Sequence, residues 1–463
     1  MNTIPQSKRL SYAATDTAGQ LVFAVISTYL LYFYTDVYGS PVGIAGTILL
    51  VARCTDGIDA PVWGMILDKT RSRWGRYRPW FLWLCGPYAM FGVLTFLTPS
   101  LSLNAKVLYS AATYIVCGIL YTGINTPVTA ILSALTPDPK QRVMLTTYRM
   151  VGSKVGVLIV NATALPLVAL LGQGNDKRGF MLTMPIFAAG AVIMFLLAFR
   201  NLEEVVDVPK DSGRTLGSFG AIAGNWPWMI IASSTFLFWI AYVSRVSAVI
   251  YFFTYKLGRK DLVPLVNSLD IVSLSAVVFL PWLCRYTSKR NLWLMGLAGS
   301  IAGQLLMYFA EPSVAAVLAG WIFAAIAGGV AMTLPFSLLS DSVDYGEWKT
   351  GIRSAGLLTA IGAAFCFKAG SGIGGALPAW TMAAYGYGPK ARQTVSALAG
   401  IEIGFIWLPA VFFALALLPT LFYSRYEAME PRIHKELDQR RSLAEIGKAR
   451  VCINSKAISK LSS

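Results

Sequence analysis

The chain has 463 residues, of which 56% are hydrophobic and only 13% are charged, and its mean hydropathy is +0.58. Soluble domains carry about 25% charged residues, so this composition excludes an ordinary soluble fold and indicates a membrane protein with several spans. The formal charge of +16 arises from 39 basic and 23 acidic residues. We interpret it as a signal for membrane orientation and expect no nucleic-acid partner, because no soluble basic domain is present to hold a duplex.

Side chains that build metal centres and hydrolase sites are scarce. The six cysteines show no paired ligand spacing, and the single histidine, His434, lies in the C-terminal tail. A catalytic triad or a zinc site that needs histidine therefore has no partner within the apolar segments. We expect no enzymatic activity, no metal and no cofactor.

Twelve apolar segments are each long enough, at about 20 residues, to cross the hydrocarbon core of a bilayer. Six are predicted before the longest polar connection and six after it. They lie at 13–37, 42–67, 79–99, 106–133, 143–171, 179–199, 226–255, 262–284, 291–310, 314–340, 355–385 and 400–423. We therefore predict an all-α polytopic membrane protein.

Lysine and arginine are concentrated in every second connection, beginning with the run from Lys69 to Arg78. The residues before the first segment and the tail after the last are basic as well. Since short cytoplasmic loops carry the excess of positive charge, both termini are expected in the cytoplasm. The predicted location is the bacterial cytoplasmic (inner) membrane, with lipids as partners.

The predicted domain organisation follows from the central polar connection. Residues 1–199 form an N-terminal six-helix bundle, 200–225 a cytoplasmic linker, 226–424 a C-terminal six-helix bundle and 425–463 a basic tail with an amphipathic surface helix. Two pseudo-symmetric six-helix halves with a site at their interface are typical of the major facilitator fold. We expect a monomer.

Predicted helix two carries Arg53, Asp56 and Asp59 at spacings of three residues, which places them on one helical face. A charged side chain at bilayer depth costs about 3 kcal/mol or more, so its default interpretation is functional. The alternative for Asp56 is an architectural ion pair with Arg53.

Two further charged groups lie at the cytoplasmic ends of helices. Asp68 and Arg71 follow helix two, and Asp344, Glu347 and Arg353 follow helix ten. We predict that both groups act as conformational latches or gates. For the second group a solvated loop is the alternative.

Long, spaced motifs in both halves resemble the glycoside–pentoside–hexuronide:cation symporters, the melibiose permease family. In the first half they read YFYTDVYG at 32–39, LVARCTDGIDAP at 50–61 and RSRWGRYRPW at 71–80. The run DYGEWK at 344–349 and Lys368 extend the resemblance into the second half. The resemblance implies symport of a sugar or glycoside with a monovalent cation by alternating access.

The resemblance also implies a cation site. Asp56 and Thr122 match two of the family's ion ligands, whereas Asp59 stands where the family has asparagine and Ala60 where it has a second aspartate. Sodium needs several converging oxygen atoms, whereas a proton needs one carboxylate with a raised pKa. Proton coupling is therefore favoured, with sodium coupling and facilitated uniport as alternatives.

Sugar-binding positions transfer in the same way. Gln20 and Asn125 stand where the family has two sugar-binding aspartates, and Thr129 stands where it has tryptophan. The other matched positions are Tyr121, Arg149 and Lys368. Because cations remain while carboxylates are lost, this pattern favours an acidic sugar such as a uronide. Neutral glycosides stay open, as does a lipid-moving carrier.

Three charged residues within apolar segments have no counterpart in the resemblance: Lys154, Arg245 and Asp270. Arg245 and Asp270 lie on successive predicted helices. Either an ion pair between them or a contact with substrate would explain their place in the membrane.

Overall fold

The computed structural model describes residues 4–136, 138–205, 224–351, 358, 360–389, 392–437 and 439–440. These residues form helices and connecting loops, without a β-strand among them. Leu, Val, Phe and Ala dominate the helices, and their apolar faces pack together in the core.

Six helices precede the central linker. They are α1 (Gln6–Tyr32), α2 (Val42–Lys69), α3 (Pro79–Thr95), α4 (Leu103–Leu135), α5 (Pro139–Gly172) and α6 (Asp176–Asn201). A π-helical turn, Phe33–Val37, extends α1.

Among the described residues after the linker, eight helices make six crossings. They are α7 (Trp226–Tyr251), α8 (Val263–Leu269), α9 (Ser273–Leu283), α10 (Lys289–Phe309), α11 (Val314–Thr350), α12 (Cys366–Ala384), α13 (Val395–Glu402) and α14 (Leu408–Leu421). The pair α8 and α9 forms one crossing that is broken at a 3₁₀ turn, Asp270–Val272. The pair α13 and α14 forms another, joined by a π-helical segment, Ile403–Trp407.

The predicted all-α architecture with twelve crossings is confirmed. Within the described residues, nine helical stretches are long and apolar enough to span a bilayer by length and composition. The charged helix α2, the 17-residue α3 and the glycine-rich α12 complete the twelve.

Glycine allows two helix pairs to approach within backbone contact. A Cβ atom on Gly152 of α5 would lie 2.3 Å from the carbonyl oxygen of Ala13 on α1. A Cβ atom on Gly374 of α12 would lie 2.6 Å from the carbonyl oxygen of Ile240 on α7. Close backbone approach of this kind is the usual role of small residues in membrane helices.

The two halves meet at the end of the molecule that carries Asp36. The Asp36 carboxylate accepts hydrogen bonds from the hydroxyl groups of Tyr255 and Tyr387 in the other half, the latter at 2.9 Å. Lys260 forms an ion pair of 2.9 Å with Asp176 across the same interface. These contacts hold the halves together at this end.

The beginning of the C-terminal tail packs differently from the prediction. Residues 424–437 are helical, and Tyr426, Ile433 and Leu437 are buried in the core of the C-terminal half. The Tyr426 hydroxyl donates to the carbonyl oxygen of Asp341 at 2.7 Å. This part of the tail therefore docks on α11, since its apolar side chains have a protein surface to cover.

Candidate functional site

A cavity of about 200 Å³ lies between the two halves. The N-terminal half contributes side chains of α1, α2 and α5, and the C-terminal half contributes α7, the α8–α9 break, α11 and α12. Its polar lining includes Gln20, Ser27, Arg53, Asn161, Asp270 and Ser371, and its aromatic lining includes Phe23, Trp239, Tyr242, Trp321 and Phe367. A cavity with aromatic walls and few polar groups is typical of a small-molecule site.

Several polar atoms at this cavity have no partner. Ser27 Oγ, Asn161 Oδ1 and Ser371 Oγ are buried without a hydrogen bond to any of the described residues. Buried polar atoms are usually paired, so each of these is a candidate contact for a ligand hydroxyl group.

The ionisable face of α2 borders the cavity. Arg53 donates a hydrogen bond of 3.2 Å from Nη1 to Oδ2 of Asp56, and its guanidinium lies 5.0 Å from the ring of Phe23. The ring of Phe23 also stacks on Tyr121, with 4.3 Å between the ring centroids. Tyr121 thus supports Phe23 and is not part of the cavity lining.

The Asp59 carboxylate is less well paired than that of Asp56. Asp59 is buried, and neither of its carboxylate oxygens has a hydrogen-bond partner among the described residues. Lys368 Nζ lies 3.6 Å from Asp59 Oδ1 and donates to the carbonyl oxygen of Asp56. The Thr122 side chain faces Asp59 from α4. The three residues predicted to bind a cation therefore lie together.

Lys368 occupies this cluster, although the sequence prediction placed it in the sugar site. It lies on α12 of the C-terminal half, whereas Asp56 and Asp59 lie on α2 of the N-terminal half. Its ammonium group supplies the positive charge that a buried carboxylate needs. The same contact joins the two halves in the middle of the membrane.

Arg149 makes its contacts beside the cavity. Its guanidinium forms an ion pair of 2.8 Å with Asp16 and donates to Thr129 Oγ1 at 3.0 Å and to Asn125 Oδ1 at 3.3 Å. Of the six predicted substrate-binding residues, only Gln20 lines the cavity in the described structure. The Asp16 carboxylate on α1 accounts for the position of Arg149, since it draws the guanidinium into an interhelical pair.

The prediction of an acidic ligand counted free cations, but four cations at or near the cavity each face a carboxylate. The pairs are Arg53 with Asp56, Lys368 with Asp59, Arg149 with Asp16 and Arg245 with Asp270. The pairs of Arg53 and of Arg245 were among the alternatives that the sequence offered. The pairs of Lys368 and Arg149 join helices far apart in the chain and were not predicted. The acidic ligand stays a prediction with less support.

The structure describes most, but not all, of the residues predicted to form the two gates. Asp68 lies in the last turn of α2, and Arg71 is exposed in the loop that follows. Asp344 Oδ2 lies 3.6 Å from Nε2 of His434 in the tail helix, with Glu347 one turn later on α11. Arg353 lies outside the described residues.

A different acid organises the loop after α2. The Glu204 carboxylate accepts hydrogen bonds from the backbone amides of Arg76, Tyr77 and Arg78 at 2.7–2.9 Å. These amides precede α3, where an anion is favoured by the helix dipole. Sequence reasoning treated Glu204 as part of the polar linker. Acidic residues and helices that begin with proline are both too common for the sequence to single out this contact.

Sequence reasoning also missed Asp36 as a contact between the halves and the aromatic lining of the cavity. An acid at the end of a long apolar helix was a visible signal for Asp36, but its tyrosine partners are more than 200 positions away in the chain. Trp239 and Trp321 gave no signal, because aromatic residues occur throughout the apolar segments.

Comparison with known proteins identifies the family. A model of the family described as MFS/sugar transport protein matches residues 11–425. The chain belongs to this family. The predicted resemblance is thereby confirmed, and the family consists of transporters, not enzymes.

Two relatives match this chain over nearly their whole length. The isoprimeverose transporter of Lactiplantibacillus pentosus is 38% identical over 445 residues, which are 95% of this chain and 92% of the relative. The inner membrane symporter YicJ of Escherichia coli is 32% identical over 425 residues, which are 90% of this chain and 91% of the relative.

Solved structures agree in fold. The crystal structure of a D-xylose-proton symporter superimposes with a TM-score of 0.65 at 16% identity, covering 89% of this chain and 96% of that one. At this identity the likeness establishes the major facilitator fold alone. The chain is therefore an integral membrane transporter of that fold.

Proposed function

We propose that this protein is a proton-coupled symporter of an uncharged sugar or glycoside that works by alternating access. The observation that carries the proposal is the Asp59–Lys368 contact of 3.6 Å, in which a buried carboxylate without hydrogen bonds joins the two halves. It acts in the bacterial cytoplasmic membrane as a monomer, with both termini in the cytoplasm.

Coupling follows from what a proton does at Asp59. Protonation removes the negative charge that faces Lys368, which weakens the contact between α2 and α12. Because these helices belong to different halves, the proton load changes the free-energy difference between the two orientations of the transporter. A ligand shifts such an equilibrium only through its unequal affinity for the two states.

A proton suits this cluster better than sodium does. The Asp56 carboxylate is already bonded to Arg53, and an ammonium group lies beside Asp59. A metal cation would have to displace Lys368 and gather additional oxygen ligands. Sodium coupling is the alternative.

An uncharged ligand follows from the paired charges around the cavity. Sugar hydroxyl groups both donate and accept, so they suit Gln20 and the unpartnered oxygens of Ser27, Asn161 and Ser371. The relative that carries the name isoprimeverose transporter makes isoprimeverose the first ligand to test.

The test is uptake of labelled isoprimeverose into proteoliposomes containing the purified chain. We expect accumulation driven by an inward proton gradient at zero sodium, and competition by neutral glycosides in preference to glucuronides. Accumulation that follows only a sodium gradient would contradict proton coupling. Uptake that merely equilibrates would indicate a uniporter, and preferential competition by glucuronides would restore the acidic ligand.

A further inference from the structure

Asp270 is the only acidic side chain among the described residues that line the cavity. It begins the 3₁₀ turn that separates α8 from α9. Irregular backbone at membrane depth is tolerated where it lines a cavity, and broken helices commonly form the binding sites of transporters. The break and the carboxylate therefore coincide in the part of the cavity lining that the C-terminal half contributes.

The carboxylate of Asp270 is held from one side. Tyr242 donates a hydrogen bond of 3.1 Å to Oδ2. The nearest guanidinium nitrogen, Arg245 Nη2, lies 3.9 Å from Oδ1, which is too long for a hydrogen bond. Asp270 Oδ1 therefore keeps its capacity to accept hydrogen bonds from a ligand.

Arg245 has unused hydrogen-bonding capacity as well. Its side chain is only 1% exposed, and its Nε and Nη1 atoms have no partner among the described residues. Trp321 and Tyr242 hold its guanidinium at 4.7 Å and 5.4 Å from their ring centres. A fully buried guanidinium is costly unless an anion compensates its charge, and Asp270 is the carboxylate that faces Arg245.

We propose that Asp270 binds neighbouring hydroxyl groups of one sugar ring in the C-terminal half of the cavity, with Arg245 as its positioning residue. The proposal rests on the proposed function and names a specificity site within it. Trp239 and Phe367, whose rings meet edge to face at 4.5 Å, form the apolar wall beside this ring. The ligand class is a glycoside with two vicinal hydroxyl groups free.

This arrangement predicts strong discrimination against deoxy sugars. A site built to bond a hydroxyl group rejects an analogue that lacks it, because the bound ligand shields the carboxylate oxygen from water and leaves it unpaired. The variant Asp270→Asn lacks the negative charge and should lose most of the discrimination against deoxy sugars.

The test is a cycle of binding constants measured by calorimetry on purified full-length protein, with isoprimeverose and its monodeoxy analogues. For the wild type we expect at least one deoxy analogue to bind ~10-fold or more weakly. Asp270→Asn should weaken isoprimeverose binding by a similar factor and bind that analogue no worse than isoprimeverose. Equal deoxy penalties in the wild type and in Asp270→Asn would overturn the proposal.

Controls separate this outcome from misfolding and from failure of the proposed function. Asp261→Asn removes an exposed carboxylate paired with Arg259 in the loop before α8 and should leave every binding constant unchanged.

Arg245→Gln should weaken isoprimeverose binding and reduce the deoxy penalty, and Arg245→Lys should partly restore both. An unchanged deoxy penalty in Arg245→Gln would remove the positioning role. A wild type that binds no glycoside would refute the proposed function itself.

Discussion

Lys368 shows how a single side chain can serve both charge balance and contact between the halves. Its ammonium group is the cation nearest to Asp59, and its hydrogen bond to the backbone of Asp56 fixes it against α2. The resemblance predicted the residue but placed it with the sugar, because sequence motifs carry no information on which neighbour a long side chain reaches.

Removing Lys368 should leave Asp59 buried without a countercharge. We expect Lys368→Met to destabilise the protein, by up to the roughly 3–5 kcal/mol typical of a broken buried pair, unless Asp59 takes up a proton. Thermal unfolding in detergent at pH 8 measures this loss. The double variant Lys368→Met/Asp59→Asn should recover most of it, and a double variant as unstable as the sum of the single ones would contradict the pairing.

Asp16 and Arg149 illustrate the limit of sequence reasoning at this scale. Arg149 was predicted to bind substrate. Its 2.8 Å pairing with Asp16 across α1 and α5 removes a cation from the count on which the acidic ligand depended. Long-range pairing of this kind depends on helix packing, which the local pattern does not encode.

At the scale of elements, apolar length predicted every membrane crossing, because the bilayer imposes one length on each helix. The internal breaks were not predicted. The turn at Asp270–Val272 contains neither glycine nor proline, so the usual breaking signals are missing. Tertiary packing fixes it instead, since Asn161 of α5 donates to the carbonyl oxygen of Asn267 just before the break at 3.1 Å.

The start of α3 depends on a side chain from another element. Glu204 accepts three backbone hydrogen bonds there, so we expect Glu204→Ala to cost about 1–2 kcal/mol, as loss of a helix cap does. Glu204→Gln should retain part of the stability. Thermal unfolding of the two variants checks this, with Glu203→Ala as the neighbouring control, since Glu203 is exposed and bonds Lys8. Equal effects at both positions would contradict the capping role.

Gly75 lies in the loop before α3, next to the backbone amides that Glu204 accepts from. Its φ of +104° lies in the region that favours glycine, and an added Cβ would lie 2.6 Å from the Glu204 carboxylate. Gly75→Ala should therefore lower the unfolding temperature at least as much as Glu204→Ala does. A Gly75→Ala variant as stable as the wild type would show that the loop does not need this conformation.

At the scale of the whole molecule, the described hydrogen bonds and ion pairs between the halves lie in the middle of the membrane and at the end that carries Asp36. The linker is at the opposite end. With the linker in the cytoplasm, as we propose, this distribution corresponds to a transporter closed towards the outside, with the halves able to separate on the linker side. Alternating access requires the Asp36 end to open in turn.

Locking the Asp36 end should stop transport. A Cβ on Gly43 of α2 would lie 3.3 Å from the Cβ of Ala383 on α12, close to the spacing in a disulfide. We expect the double variant Gly43→Cys/Ala383→Cys to lose uptake on oxidation and to regain it on reduction. The single-cysteine variants are the matched controls. Undiminished uptake in the fully cross-linked protein would exclude rocking of the halves at this end.

If Asp59 carries the coupling proton, adding isoprimeverose to de-energised proteoliposomes changes the pH of the medium outside them. We expect a transient alkalinisation with the wild type and none with Asp59→Asn, although the variant still exchanges internal for external sugar. Alkalinisation of wild-type size by Asp59→Asn would contradict this role of Asp59.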